Sequence, residues 1–493
     1  MNLSRRTFLS LPLLLAARPV PAQQPAPGNE LWMIQPQLPT PPLRYRYAYP
    51  GIEYAVPLAA RVVLPVTYTV RSPSNARVDA KGMLRFVAPD SGSVTVDLTM
   101  TDARGYTKDL SWTVTVDPNP FIFVDGNASA GGDGTKANPF RSFSDFWVDH
   151  PGSSYPYKNK FVYVRAGTYS LPARGSRLLP NQISGVIGYP GETVLFDCGP
   201  DARHWGIWKD DAFFHNLEYT NGVNRIYWYE NSDNLVISEN ICHDLGASPQ
   251  DNIGFLQIMN DTLWNGAPVS SPPPLDASGV TYRKKNALLH GCDITSDNKG
   301  VEMYGTYNLG IMFNRIALVS DKVYACVNGK SSNWITTVVG NEFYAPANNS
   351  IEANKPYTLN IPGQFYALDW FIANNLMVGG VFMLGAYTAL DHTEVLWNTL
   401  ECNIVVRKTK IGDGPIIFDR NVIVNDTGDH IVDSPNEHWS PEAQVTVIKD
   451  NLMGSTADGI LDSNHKITNP DLKGKYGYEK RTAPRPPARL SIT

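Results

Sequence analysis

The chain has 493 residues, 42% hydrophobic and 18% charged, with 39 glycines, 38 prolines and a formal charge of −5 at neutral pH. That composition excludes a largely disordered chain and a single compact core, and it favours many turns over long helices. The charge excludes a global attraction to nucleic acid, so any polyanion must be held by a local basic patch.

Residues 1–22 read as an export signal, because Ser4-Arg5-Arg6-Thr7-Phe8-Leu9 precedes a short apolar run and a small-residue cleavage site at Val20-Pro21-Ala22. The paired arginines are the twin-arginine pattern. The apolar run is too short to span a bilayer and no later stretch approaches that length, so a periplasmic or secreted protein without a transmembrane segment is expected. The five cysteines Cys198, Cys242, Cys292, Cys326 and Cys402 form no CxxC pair and are expected as small buried groups.

Residues 23–37 read as a linker. Over 38–118, short runs of alternating apolar and polar residues are separated by turns, as in Ala60–Val70, Ser93–Met100 and Leu110–Val116. Period-two runs at this spacing predict an antiparallel sandwich. The stretch resembles cadherin-like and immunoglobulin-like modules of exported bacterial proteins, which implies a spacer, a docking domain or a carbohydrate-binding module.

Beyond Asp117 a β-rich run ending in Asn recurs, with asparagines at 216, 240, 314, 341, 375, 398, 421 and 451 and Cys292 in the same slot. The shortest intervals are 24 (216 to 240), 22 (292 to 314) and 23 (375 to 398, then 398 to 421). Such a period is too short for a strand–helix–strand unit and suits one coil of a three-stranded solenoid. Stacked coils place the Asn side chains above one another as an amide ladder, a scaffold role. The longest interval, from Asn240 to Cys292, holds the Pro-rich Ser270–Leu275, which is expected to leave the coil and wall a groove.

The segments Phe123–Asn127, Gly131–Phe140, Ser142–Trp147 and Val162–Tyr169 together resemble the opening of pectate-lyase-like proteins, where a strand leads into a Gly/Asp loop and a short helix. The resemblance implies an all-β chain: a right-handed, single-stranded parallel β-helix over 119–467, preceded by the immunoglobulin-like sandwich and followed by a tail at 468–493. It also implies that one sheet faces a long groove.

The strands read as lining that groove are Arg225–Glu230, Gly254–Met259, Gly300–Tyr304, Lys322–Asn328, Pro356–Asn360, Gly380–Leu384 and Asn403–Lys408. With Val301 and Met303 inward, Glu302 and Tyr304 point outward, and the same register exposes Gln257, Tyr324 and Asn328, with Lys330 just beyond. A carboxylate, an amide, tyrosines and a lysine on adjacent coils suit β-elimination from a uronate polymer. Lys330 is the expected base, Tyr304 or Tyr324 the acid, and Glu302 with Asn328 part of a Ca²⁺ site. Gln257, Asn328, Lys299, Lys322, Lys355 and Arg407 are the expected substrate contacts, the three lysines stacked as a basic strip screened by Asp297 and Asp321.

The expected partner is therefore an acidic polysaccharide acted on by a monomeric lyase. The alternatives are a glycoside hydrolase on the same scaffold and a non-catalytic glycan-binding surface or matrix protein.

Overall fold

The computed structural model describes residues 31, 33–36, 41–170, 176–199, 205–222, 225–230, 232–246, 254–259, 285–297, 299–319, 325–347, 356–361, 366–385, 389–407, 415–427, 430–434, 446–473 and 475–478. The export signal, the Pro-rich excursion at 270–275, Tyr324, Lys322 and Lys355 lie outside the described residues, as do the side chains of Lys330 and Arg407.

The N-terminal unit is built from two sheets. Tyr47–Ala48, Thr107–Val116, Gly92–Thr101 and Thr67–Ser72 form one, and Glu53–Pro57, Met83–Val87 and Arg77–Val78 the other. The alternation along Gly92–Thr101 and Thr107–Val116 resolves as expected. Val94, Val96, Leu98 and Met100 are buried on one face with Leu110, Trp112, Val114 and Val116, while the threonines and serines between them face outward. Met33–Gln35, read from sequence as linker, instead pairs antiparallel with Ala59–Ala60.

From Phe121 onward the chain is a parallel β-helix with three strands per coil. One sheet runs through Phe121–Val124, Phe161–Val164, Gly185–Gly188 and Phe213–His215 to Ile416–Asp419 and Thr446–Ile448. A second follows each asparagine, from Gly167–Ser170 through Ile241–Leu245, Asp293–Ser296 and Arg315–Leu318 to Leu452–Gly454. The third contains the strands read as the groove wall, from Ser176–Leu178 through Tyr227–Glu230 and Gly254–Met259 to Ile431–Ser434. Side chains from all three meet in one continuous apolar core, in which Cys198, Cys242, Cys292, Cys326 and Cys402 sit as buried thiols outside any disulfide.

The asparagine column is present, with one correction. Asn314 donates to Asn341 Oδ1 at 3.0 Å, Asn341 to Asn375 at 2.9 Å, Asn375 to Asn398 at 2.9 Å, Asn398 to Asn421 at 3.0 Å and Asn421 to Asn451 at 2.8 Å. Each Oδ1 also accepts the backbone N–H of the slot one coil earlier, so the ladder satisfies main chain and side chain together. Cys292 occupies the slot between Asn240 and Asn314, as its spacing predicted. Asn216 does not. The Leu217 N–H bonds Asn240 Oδ1, so Leu217 fills the slot, and Asn216 serves the turn before it at φ 56°.

The sandwich lies along the outer face of the first sheet. Phe121, Phe123, Phe161, Tyr163, Phe213 and Phe371 point away from the solenoid core and pack with Tyr54, Val56, Phe86 and other sandwich residues. This explains the unbroken apolar runs Phe-Ile-Phe-Val and Phe-Val-Tyr-Val, since a strand buried on both faces needs no polar alternate. Gly310 admits Ile34 at close range, because a Cβ there would sit 2.9 Å from Ile34 Cδ1. Arg61 pairs with Asp369 at 2.6 Å, and Arg85 clamps Glu239.

His215 lies at this interface, fully enclosed, with Nδ1 3.0 Å from Ser238 Oγ. Burial pushes its imidazolium down to about 4, the nearby Glu239 only partly opposing the effect. The unfolded imidazole, near 6.5, therefore binds the proton first, and stability falls as pH drops from about 6.5 towards 4. The expected loss is about 3 kcal/mol across that window. Thermal unfolding at stepped pH should show a shallower acid slope for His215→Gln than for the parent; parallel slopes would exclude His215 as the cause.

Candidate functional site

The third sheet carries an outward column set by strand register. Arg177 stacks on Gly206, then in turn come Trp228, Gln257, Glu302, Asn328, Asn360, Met383 and Val405. Residues flanking the column, among them Val301, Met303, Val327 and Leu359, belong to the solenoid core, so the expected side of the sheet for Gln257, Glu302 and Asn328 is correct. Their expected exposure is not. Gln257, Glu302, Asn328, Lys299 and Tyr304 are each at most 3% exposed, so these five side chains form a buried polar cluster rather than a solvated row.

Glu302 organises the cluster. Its Oε1 accepts from Lys299 Nζ at 2.7 Å, Tyr304 OH at 2.9 Å and Asn328 Nδ2 at 3.2 Å, and its Oε2 from Gln257 Nε2 at 3.5 Å. Asn360, unnoticed in the sequence, donates to Asn328 Oδ1 at 3.0 Å, and the Arg225 guanidinium donates to Gln257 Oε1. The network thus crosses five adjacent coils, joining groups up to 135 positions apart in the chain (225 to 360).

Lys299 is corrected from a rung of an exposed basic strip to the buried counter-ion of Glu302. The cause is local. A Cβ on Gly300 would lie 2.6 Å from Ile316 Cγ2, a core atom, so Gly300 and Val301 both turn inward. Alternation slips by one residue at this corner, and Lys299 reaches the side occupied by Glu302.

This donor set does not fit Ca²⁺, which takes six to eight oxygen ligands. Glu302 Oε1 is surrounded by an ammonium, a hydroxyl and an amide N–H, and Asn328 Oδ1 is engaged by Asn360. Among the described residues, no three His, Cys, Asp or Glu side chains are grouped to hold a metal ion.

Register also brings Tyr304 opposite Lys330 on the adjoining strand, two residues along from the Glu302–Asn328 pair. Arg407 lies in the same sheet three coils on, opposite Gly385. Two aromatic members of the face escaped the sequence reading. Trp208 and Trp228 meet edge to face with centroids 5.1 Å apart, Arg177 lies 5.8 Å from the Trp208 ring, and Arg225 lies 4.7 Å from that of Trp228. The outward parity of Trp228 in Arg225–Glu230 was the available signal.

No protein-family model matches the sequence, and no curated relative does. Solved structures with a similar course include a Family 28 exopolygalacturonase from Yersinia enterocolitica, at TM-score 0.37 and 10% identity, covering 87% of this chain and 99% of that one. A rhamnogalacturonan lyase matches at TM-score 0.30 and 11% identity, covering 69% and 88%. A lacto-N-biosidase from Eubacterium ramulus matches at TM-score 0.34 and 11% identity, covering 68% of each chain. The fold assignment rests on the strand register described above.

Proposed function

We propose that this chain is an exported carbohydrate-active protein, a polysaccharide lyase that cleaves an acidic, uronate-containing polysaccharide by β-elimination on the outer face of the third sheet. The observation that carries the reading is the pairing of Tyr304 with Lys330 on adjoining strands, beside Glu302, Asn328 and Gln257. Lys330, as the free amine, takes the proton α to the uronate carboxyl group. The bond from the β-carbon to the glycosidic oxygen breaks, a carbon–carbon double bond forms, and Tyr304 supplies a proton to the departing oxygen. Proton return from Lys330 to Tyr304 restores both groups.

Glu302 holds Tyr304 and Asn328 in place, and Lys299 is its buried ion-pair partner. Lys322, Lys355 and Arg407 are the cations proposed to meet the carboxylates of the substrate. Hydrolysis by paired carboxylates is less well supported, because Glu302 is committed to its ion pair and an inverting or retaining pair must act freely across the scissile bond. The twin-arginine signal, a periplasmic or secreted location and a monomeric state belong to the same proposal.

The test is a panel of alginate, pectate, glycosaminoglycans and bacterial exopolysaccharides, followed by ultraviolet absorbance and product mass. An unsaturated uronate product is expected, and Lys330→Ala should lower turnover by about 10²–10⁴-fold at an unchanged Tm. New reducing ends without absorbance would favour hydrolysis, and retention of a glycan without any product would favour a binding protein.

A further inference from the structure

Towards the N-terminal end of the same column, the surface changes character. Gly206 leaves a gap between Arg177 and Trp228, and the Trp208 ring fills it: a Cβ on Gly206 would lie 2.4 Å from Trp208 Cζ3. Trp208 is thereby laid flat on the strand, edge to face with Trp228, and the two indoles are half-buried where Glu302 and Asn328 are fully enclosed. Arg177 flanks one ring and Arg225 the other, and Arg177 is exposed with no carboxylate partner among the described residues. Arg225 also bonds Gln257, which bonds Glu302, so platform and polar cluster are continuous.

We infer that Arg177, Trp208, Trp228 and Arg225 form a binding subsite for an acidic sugar unit of the polysaccharide, two to four coils from the reacting bond. The chemistry of the groups selects the occupant. An indole face takes the C–H face of a pyranose by apolar contact, and a guanidinium at its rim takes a carboxylate in a two-pronged hydrogen bond. A neutral sugar would use only the first, and a free anion only the second. At about 4.8 Å per rung, Trp228 lies roughly 10 Å and Arg177 roughly 19 Å from the Glu302 rung, so the subsite is reached only by an extended oligosaccharide. This inference rests on the acidic-glycan reading but not on the elimination chemistry.

The test is calorimetric titration of the full chain with uronate oligosaccharides of increasing length, beside Arg177→Ala and Trp208→Ala, each checked for an unchanged Tm. Affinity for the long oligosaccharides should fall about tenfold or more in each variant, while the shortest bound oligosaccharide shows no difference. A neutral oligosaccharide of matched length should bind the parent more weakly and lose nothing on Arg177→Ala. Equal affinity of parent and variants for the long acidic chain overturns the subsite, even if Lys330→Ala abolishes cleavage. Length-dependent binding that needs Arg177 and Trp208 but yields no product supports the subsite and removes the elimination step instead. If Trp208→Ala lowers the Tm, Arg177→Ala decides alone, its side chain being exposed.

Discussion

Asn398→Ala is expected to destabilise the solenoid by about 3–5 kcal/mol, the cost of leaving several buried polar groups without partners. Asn398 Oδ1 accepts both the backbone N–H of Asn375 at 2.8 Å and its side-chain amide at 2.9 Å. Its own amide donates to Ile372 O at 2.9 Å, Leu396 O at 3.0 Å and Asn421 Oδ1 at 3.0 Å. Alanine removes all five while the backbone around it stays enclosed, and the vacated space is lined by polar atoms that no apolar side chain can satisfy. Asn451 ends the described ladder and is only partly buried, so Asn451→Ala should cost about 1 kcal/mol. Thermal or denaturant unfolding of the two variants checks the ranking; equal effects would mean that the column does not act as a ladder.

Lys299→Met should be the other severe substitution, at roughly 3 kcal/mol or more, because it strips Glu302 of its buried counter-ion. Tyr304, Asn328 and Gln257, which also donate to Glu302, are neutral. Adding Glu302→Gln removes the buried charge while retaining an acceptor, so the double variant should recover most of the loss. A double variant no more stable than Lys299→Met alone would show that the pair is not the source of the defect.

The parts of this molecule that were legible in the sequence are those where one physical demand recurs at a fixed interval. An amide ladder favours Asn in the same slot of successive coils, and the interval from Cys292 to Asn314 marks Cys292 as a member of that slot. The same reasoning misplaced Asn216, because a turn residue preferring positive φ sat one position before the true slot at Leu217. Period two correctly gave the side of the sheet for Gln257, Glu302 and Asn328. It carries no information about what covers that side, and so it predicted exposed groups where the structure has enclosed ones. Lys299 was misread for a different reason, since the slip at Gly300 depends on contact with Ile316, a residue of a later strand. The docking of the sandwich on the first sheet was written in the apolar runs at 121–124 and 161–164, whose lack of alternation signals burial on both faces.

The most direct measurement is a crystal structure of Lys330→Ala with a long uronate oligosaccharide. Sugar units are expected to run along the outer column of the third sheet, from Trp208 and Trp228 past Gln257, with the scissile bond where Tyr304 pairs with position 330. A glycan seated on another sheet or at an end of the solenoid would contradict this.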